Sequence, residues 1–314
     1  MKNCRIIRTH FRSRLIVLVL FLVAVGLGAQ DVSFPGEGRP GEVVVIKTDE
    51  PVEEVVSVTL FDKERQKITA ARAFEMDGET RIFLALPSTI EPGRYTLSAS
   101  GMQSSLHRGK PFTVYPREFL SERIDLDDAL TDLRTSDDER IRTEALEIQA
   151  LYALFNPQAD YSAFSFEAPL PFEHLEYFRI SSEYGDRRIY HYSDDRQSRS
   201  IHAGIDMAAR EGTPVLAAGS GRVVLAKDRY ISGKSVVIEH LPGVYSVYFH
   251  LSDIAVSVGD FVREKQRIGR VGRTGLATGP HLHWEIRVNG TAVDPRLLTQ
   301  EAIPDKIQST SSEE

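Results

Sequence analysis

Four of the nine histidines and one aspartate fall into three short elements that could hold a metal ion. The first is His202-Ala203-Gly204-Ile205-Asp206. The second is His250 within Tyr248-Phe249-His250-Leu251, and the third is His281-Leu282-His283. Neutral imidazole and carboxylate are good zinc donors, and three protein donors plus a water make the open, catalytic kind of site. From His281 to Val288 the pattern alternates strictly. A strand there puts His281 and His283 on one face and Leu282, Trp284, Ile286 and Val288 on the other. Two such imidazoles project in parallel, about 6–7 Å apart at Cα. One can bind a metal while the other reaches its water. His202 and Asp206 would share a face on a helix, but Gly204 favours a loop or irregular strand. Their convergence is therefore expected from donor type alone. Tyr248, two residues before His250, shares its face on a regular strand. There a packed role is preferred to substrate contact, and Trp284 reads as core. The lone His107, His174, His191 and His240 read as structural or surface residues.

The elements that must position these groups are mostly β. Glu42–Thr48, Val55–Asp62, Lys67–Phe74, Arg81–Pro87, Arg94–Ala99 and Pro111–Tyr115 are short runs rich in Val, Ile, Thr, Phe and Tyr. Arg39-Pro40-Gly41, Asp77-Gly78 and Glu91-Pro92-Gly93 separate some of them as turns. That spacing predicts an immunoglobulin-like β-sandwich over residues 30–118, a spacer or binding module with no catalytic cluster. Residues 119–156 are acidic and rich in Leu and Ala, and predict a helical connector. A short helix is expected from about Leu120 to Leu133. A second follows a capping box at Ser136-Asp137-Asp138-Glu139, with Ile141, Ala145, Ile148, Tyr152 and Phe155 on its apolar face. Residues 157–300 return to β, beginning with a Pro-containing crossing segment. Their clearest strands are Thr213–Leu225, Ser235–His240, Tyr245–His250, Phe261–Val271 and His281–Val288. Residues 301–314 read as a flexible tail.

Composition bounds the partners. Lys2, Arg5, Arg8, Arg12 and Arg14 precede the first acid, Asp31. Without these five the balance is 33 basic against 45 acidic residues. So acidic a chain is repelled by nucleic acid, which is excluded as a partner. The single cysteine, Cys4, permits neither an intramolecular disulfide nor a cysteine zinc site. The basic start, the apolar run Leu15–Leu27 and the small residues near Ala29 form the three-part layout of a secretory signal over residues 1–29. An uncleaved N-terminal membrane anchor is the alternative. Either way the expected location is the bacterial cell envelope, periplasmic or extracytoplasmic.

Around the histidines the chain resembles the lysostaphin/LytM-type zinc peptidases, which cut peptide cross-links in bacterial peptidoglycan. The resemblance runs from about Ile180 to Arg296. It is carried by Ser181-Ser182-Glu183-Tyr184-Gly185-Asp186-Arg187, His202-x-Gly-x-Asp206, Gly212-Thr213-Pro214-Val215 and the Tyr-x-His-Leu element ending at Leu251. Val258-Gly259-Asp260, Gly269-x-Val-Gly272-x-Thr274-Gly275, Thr278-Gly279-Pro280-His281-Leu282-His283 and Asp294-Pro295 continue it in order. Tyr184 stands where the family usually has Phe. The resemblance implies an antiparallel β-sheet groove, with His202, Asp206 and His283 binding Zn²⁺. It places His281 and His250 beside the zinc-activated water. His281 is expected as the base, and His250 as the group that stabilises the oxyanion or protonates the leaving amine, with the roles exchangeable. The implied function is hydrolysis of peptidoglycan stem peptides or cross-links. The alternative is a non-catalytic or latent regulator of cell-wall hydrolases, binding through the same groove. An envelope protein partner could engage the sandwich. The long, charged stretch Arg187–Ser200 departs from the family pattern. Residues 121–200 are a candidate cover that holds the enzyme latent.

Overall fold

The structure is a computed structural model that describes residues 33–53, 56–100, 109–159, 161 and 164–299. The expected signal and tail lie outside the described residues. Within them no helix is long and apolar enough to cross a membrane.

The fold is mostly β. The N-terminal part contains β1 (Glu37–Gly38), β2 (Val43–Thr48), β3 (Ser57–Phe61), β4 (Lys67–Met76), β5 (Glu79–Ala85), β6 (Gly93–Ser100) and β7 (Lys110–Val114). Their order is β1-β7-β6-β3-β4-β5-β2. The long β4 pairs with β3 up to Arg72 and with β5 from Ala73 onward, so it passes from one sheet to the other. Asp77 and Gly78 both have positive φ, 56° and 75°, which a tight two-residue hairpin turn requires. Val44, Ile46, Val58, Leu60, Ile82, Leu84, Leu97 and Phe112 form the core between the strands.

The connector differs from its reading as two helices. Residues Ser121–Asp125 form a strand, β8, and the first helix, α1, spans Asp128–Thr135. β8 pairs in parallel with β10 (Arg187–His191), which pairs antiparallel with β11 (Gln197–Ile201). Tertiary pairing thus makes a strand of a polar, charged local sequence. The second helix, α2, spans Glu139–Tyr152 as expected, but its N-cap is Asp138, whose carboxylate accepts from the Arg140 N–H at 2.8 Å. Ser136 instead ends α1. The buried face is also rotated: Glu144 is buried and Ala145 exposed.

The C-terminal part is a sheet of ten strands. Its main path runs β17 (Phe261–Val262), β14 (Gly221–Arg229), β15 (Gly233–Leu241), β16 (Val244–Ile254), β19 (His281–Val288), β12 (Ile205–Ala209) and β9 (Phe178–Ser182). β13 (Pro214–Leu216), β18 (Arg267–Val271) and β20 (Thr291–Val293) pair beside it. The runs Thr213–Leu225 and Phe261–Val271 each break into two strands. One sheet face buries Met207, Val236, Ile238, Tyr248, Leu282, Trp284, Ile286 and Val288. That cluster also contains Phe74, Met76, Phe83 and Ala85 from β4 and β5, so the two β parts share apolar packing. The opposite face carries Leu225, Val237, Tyr245 and Val247, and α2 lies on it through Ile148, Leu151 and Tyr152.

Candidate metal centre

Antiparallel pairing of β12 with β19 sets Asp206 opposite His283. His202 enters from the turn between β11 and β12. Gly204 makes that approach possible, because a Cβ there would collide with the Trp284 carbonyl. His202 Nε2 lies 3.1 Å from Asp206 Oδ1 and 3.0 Å from His283 Nδ1, and His283 Nδ1 lies 2.8 Å from the same Oδ1. All three residues are buried, and they form a group that could hold a metal ion.

The outer partners of the two imidazoles decide which nitrogens face inward. His202 Nδ1–H donates to the Glu183 carbonyl at 2.7 Å. That leaves Nε2 as a bare lone pair. His283 Nε2–H donates to Glu285 Oε1 at 2.9 Å, leaving Nδ1 bare. Two nitrogen lone pairs and a carboxylate oxygen therefore converge in a buried space. Such a donor set repels itself unless a metal ion, or a proton shared between His283 Nδ1 and Asp206, sits among it, and the carboxylate–histidine pairing behind it is the usual support of a metal ligand. The residues fit a metal. Without one, burial opposes charge on His283, but hydrogen bonds and charge from Asp206 and Glu285 outweigh it and raise its pKa to about 9. Burial alone would raise Asp206, yet His202, Arg188 and His281 hold it well below the usual carboxylate range. Burial pushes His202 down.

His281 and His250 flank this group. His281 Nε2 is 3.7 Å from Asp206 Oδ1, and its Nδ1–H donates to the Gly279 carbonyl at 2.9 Å. His250 Nδ1–H donates to the Thr274 carbonyl at 2.8 Å, and its ring centre is 4.7 Å from that of His281. Both therefore keep a bare Nε2. Burial, then the neighbouring His281 and His283, push His250 down to about 3. His250 also has φ of 62°, a conformation that costs a non-glycine residue about 1–3 kcal/mol and collects at functional sites. This kink breaks the alternation of β16. Tyr248 consequently does not share the face of His250. It is buried beside Trp284 on the core side, its hydroxyl accepting from the Ala218 N–H at 2.8 Å.

The four site histidines and Asp206 thus come together. His240 is buried elsewhere, with Nδ1–H on the Ser220 carbonyl at 2.8 Å and Nε2 at 2.7 Å from Ser246 Oγ. His191 lies near Gln197 on the β10–β11 hairpin. His107 lies outside the described residues. Sequence reasoning missed three groups behind the candidate ligands: Glu285, Arg188 and Glu122. Glu285 was detectable, since it is in phase with His281 and His283 on β19. Its other oxygen, Oε2, accepts from Arg287 Nε at 2.6 Å, and the Arg287 guanidinium lies 4.8 Å from the Tyr152 ring of α2. Arg188 and Glu122 had no signal, because only the fold brings β8 and β10 to Asp206.

Residues 200–295 match the family model of Peptidase family M23. DD-carboxypeptidase/endopeptidase Mpg of Neisseria meningitidis is 42% identical over 123 residues, which are 39% of this chain and 27% of that protein. Peptidoglycan DD-endopeptidase ShyA of Vibrio cholerae is 41% identical over 117 residues, 37% of this chain and 26% of that protein. The chain therefore spans about a quarter of the length of these two relatives. A Pseudomonas aeruginosa crystal structure described as a peptidase M23 superposes with a TM-score of 0.57 at 28% identity, covering 82% of this chain and 93% of that one.

Proposed function

With residues 200–295 belonging to a peptidase M23 domain of the LytM/lysostaphin type, we propose that the protein is a zinc-dependent endopeptidase of bacterial peptidoglycan, acting in the cell envelope. The observation that carries this reading is the set of three inward lone pairs on His202, Asp206 and His283, flanked by two imidazoles with bare Nε2 atoms. The name of ShyA, a peptidoglycan DD-endopeptidase, supports the substrate class, and that of Mpg supports a peptidase.

His202 Nε2, Asp206 Oδ1 and His283 Nδ1 would hold the zinc. Such an ion supplies a Lewis acid for the scissile carbonyl and lowers the pKa of a water toward about 7. His281 takes the proton of the attacking water on Nε2. Its ring is already oriented by the Gly279 carbonyl. The resulting imidazolium is a donor and hands the proton to the leaving amine. His250 is held neutral by burial, and its bare Nε2 makes it an acceptor that orients the water. The role expected for His250 from the sequence, stabilising the oxyanion or protonating the leaving amine, requires a proton on that nitrogen.

The test is digestion of purified peptidoglycan by the zinc-loaded protein, with products read by mass spectrometry and His281→Ala alongside. Cross-linked dimers should fall to monomers with the intact protein only. Equal release by both proteins would reject the assignment of His281.

A second reading, a latent enzyme, is favoured by one observation. α2 rests on the sheet face that bears His283. Tyr245, Val247 and Phe249 of β16 lie opposite Arg287, Glu285 and His283, and α2 packs against this row. Phe249 stacks on the His283 ring at 5.3 Å. A peptide running across the sheet toward β14 would meet the helix.

A further inference from the structure

The family match begins at residue 200, yet residues well before it stand behind the centre. Arg188 on β10 places Nη2 against Asp206 Oδ2, while Oδ1 is the oxygen that faces His202 and His283. Arg188 Nε, on the edge it shares with Nη2, forms an ion pair with Glu122 Oε2 of β8 at 3.4 Å without a hydrogen bond. The same Glu122 oxygen accepts from Ser182 Oγ at 2.6 Å, and Ser182 Oγ lies 3.3 Å from His202 Nδ1. These groups are sheltered: the side chains of Arg188, Asp206 and Glu122 are 13%, 9% and 24% exposed. A buried ion pair is seldom a net gain in stability, because both charges lose water. An arginine placed beside a metal-binding group also repels the metal. Its presence therefore needs a compensating purpose, and geometry supplies one. A carboxylate can offer a metal one oxygen or two. A guanidinium on Oδ2 occupies the second oxygen and fixes the plane of the group. Glu122 offsets the added positive charge.

We propose that Arg188, held in place by Glu122, is a positioning residue that makes Asp206 present Oδ1 alone to the metal. The β8–β10–β11 sheet is then part of the metal centre's outer support, supplied from outside the matched domain. This inference rests on the reading that His202, Asp206 and His283 bind zinc.

The experiment measures zinc affinity of the full chain by competition with a chromogenic chelator, and the visible absorption of the cobalt-substituted protein. Wild type, Arg188→Ala, Arg188→Lys and Glu122→Gln are compared, with near-ultraviolet circular dichroism confirming folding. Loss of an outer partner typically weakens a metal site 10–100-fold, so a fall of about that size is expected for Arg188→Ala, with smaller falls for the other two. The cobalt bands of Arg188→Ala should weaken and shift as Oδ2 joins the coordination sphere, a change that general destabilisation does not produce. If Arg188→Ala does not fold, Arg188→Lys and Glu122→Gln decide by the same two readouts. Folded variants with wild-type or higher zinc affinity and unchanged cobalt spectra would overturn the inference. A wild-type chain that takes up no zinc would overturn the metal reading and this inference together.

Discussion

At the scale of single residues, the site is a set of tautomers chosen by its surroundings. Each of the four imidazoles spends one N–H on a carbonyl or carboxylate and leaves the other nitrogen free. Replacing His281 by Ala should therefore abolish peptide release while zinc stays stoichiometric by metal analysis. Replacing Asp206 or His283 by Ala should lose both. Glu285→Gln should weaken zinc about 10–100-fold, because it removes the charge that holds the Nε2 proton of His283. A different histidine carries a pH effect on stability. Burial pushes His240 down to about 4, the Ser220 carbonyl opposing. In the unfolded chain an ordinary histidine titrates near 6.5. Its contribution is thus full above about pH 6.5 and lost as pH falls toward 4, because the unfolded state binds more protons in that window. The shift is worth roughly 3 kcal/mol. Urea titrations at several pH values should show stability rising less steeply between pH 4 and 6.5 in His240→Gln than in wild type. The motif spacing made His202, Asp206, His250, His281 and His283 readable together. Arg188 and Glu122 were not readable, since their proximity to Asp206 depends on which strands lie side by side.

At the scale of elements, β runs were legible wherever alternation or turn residues bounded them, as in β2 to β7 and β19. β8 was not, because Leu120-Ser-Glu-Arg-Ile-Asp-Leu has no local reason to be a strand until β10 offers it a partner. α2 was legible as a helix but not in its orientation. Glu144 turns inward because its carboxylate accepts from the Tyr230 N–H at 2.8 Å and from Arg140 Nε at 2.7 Å. The helix is held by those bonds, by the Lys227–Glu147 ion pair, by the buried Tyr152 near its C-terminal end and by partial burial of Ile148 and Leu151. Full burial of an apolar side chain gives about 1.5–3 kcal/mol, so a charge at the half-buried Ile148 should loosen the contact. Ile148→Asp should raise the rate of peptide release from peptidoglycan several-fold and increase amide exchange in β15 and β16. An unchanged rate with increased exchange would show that α2 does not limit access.

At the scale of the whole molecule, the boundary near residue 118 divides the chain by composition, but the packing crosses it. The Phe83 ring stacks on Phe164 at 3.9 Å, the Phe83 carbonyl accepts from Asn289 Nδ2 at 2.9 Å, and Arg117 pairs with Asp294. The Asp294 N–H donates to the Gly41 carbonyl at 2.9 Å, and Arg187 Nη2 donates to the Ser88 carbonyl at 2.8 Å. One cooperative unfolding transition is therefore expected by calorimetry. Phe83→Ala, which empties a fully buried site, should cost about 3–5 kcal/mol and lower that transition as a unit. Two separate transitions, only one of them shifted, would contradict it. Under the proposed function, this shared core would also determine how the molecule searches for substrate. A catalytic unit on a loose tether sweeps a volume and cuts whatever drifts within range. One bolted to its neighbour sweeps only where the neighbour points. For the proposed hydrolase, the histidines would then reach only bonds at a set offset and heading from the N-terminal strands, and the choice of bond would be partly a matter of location.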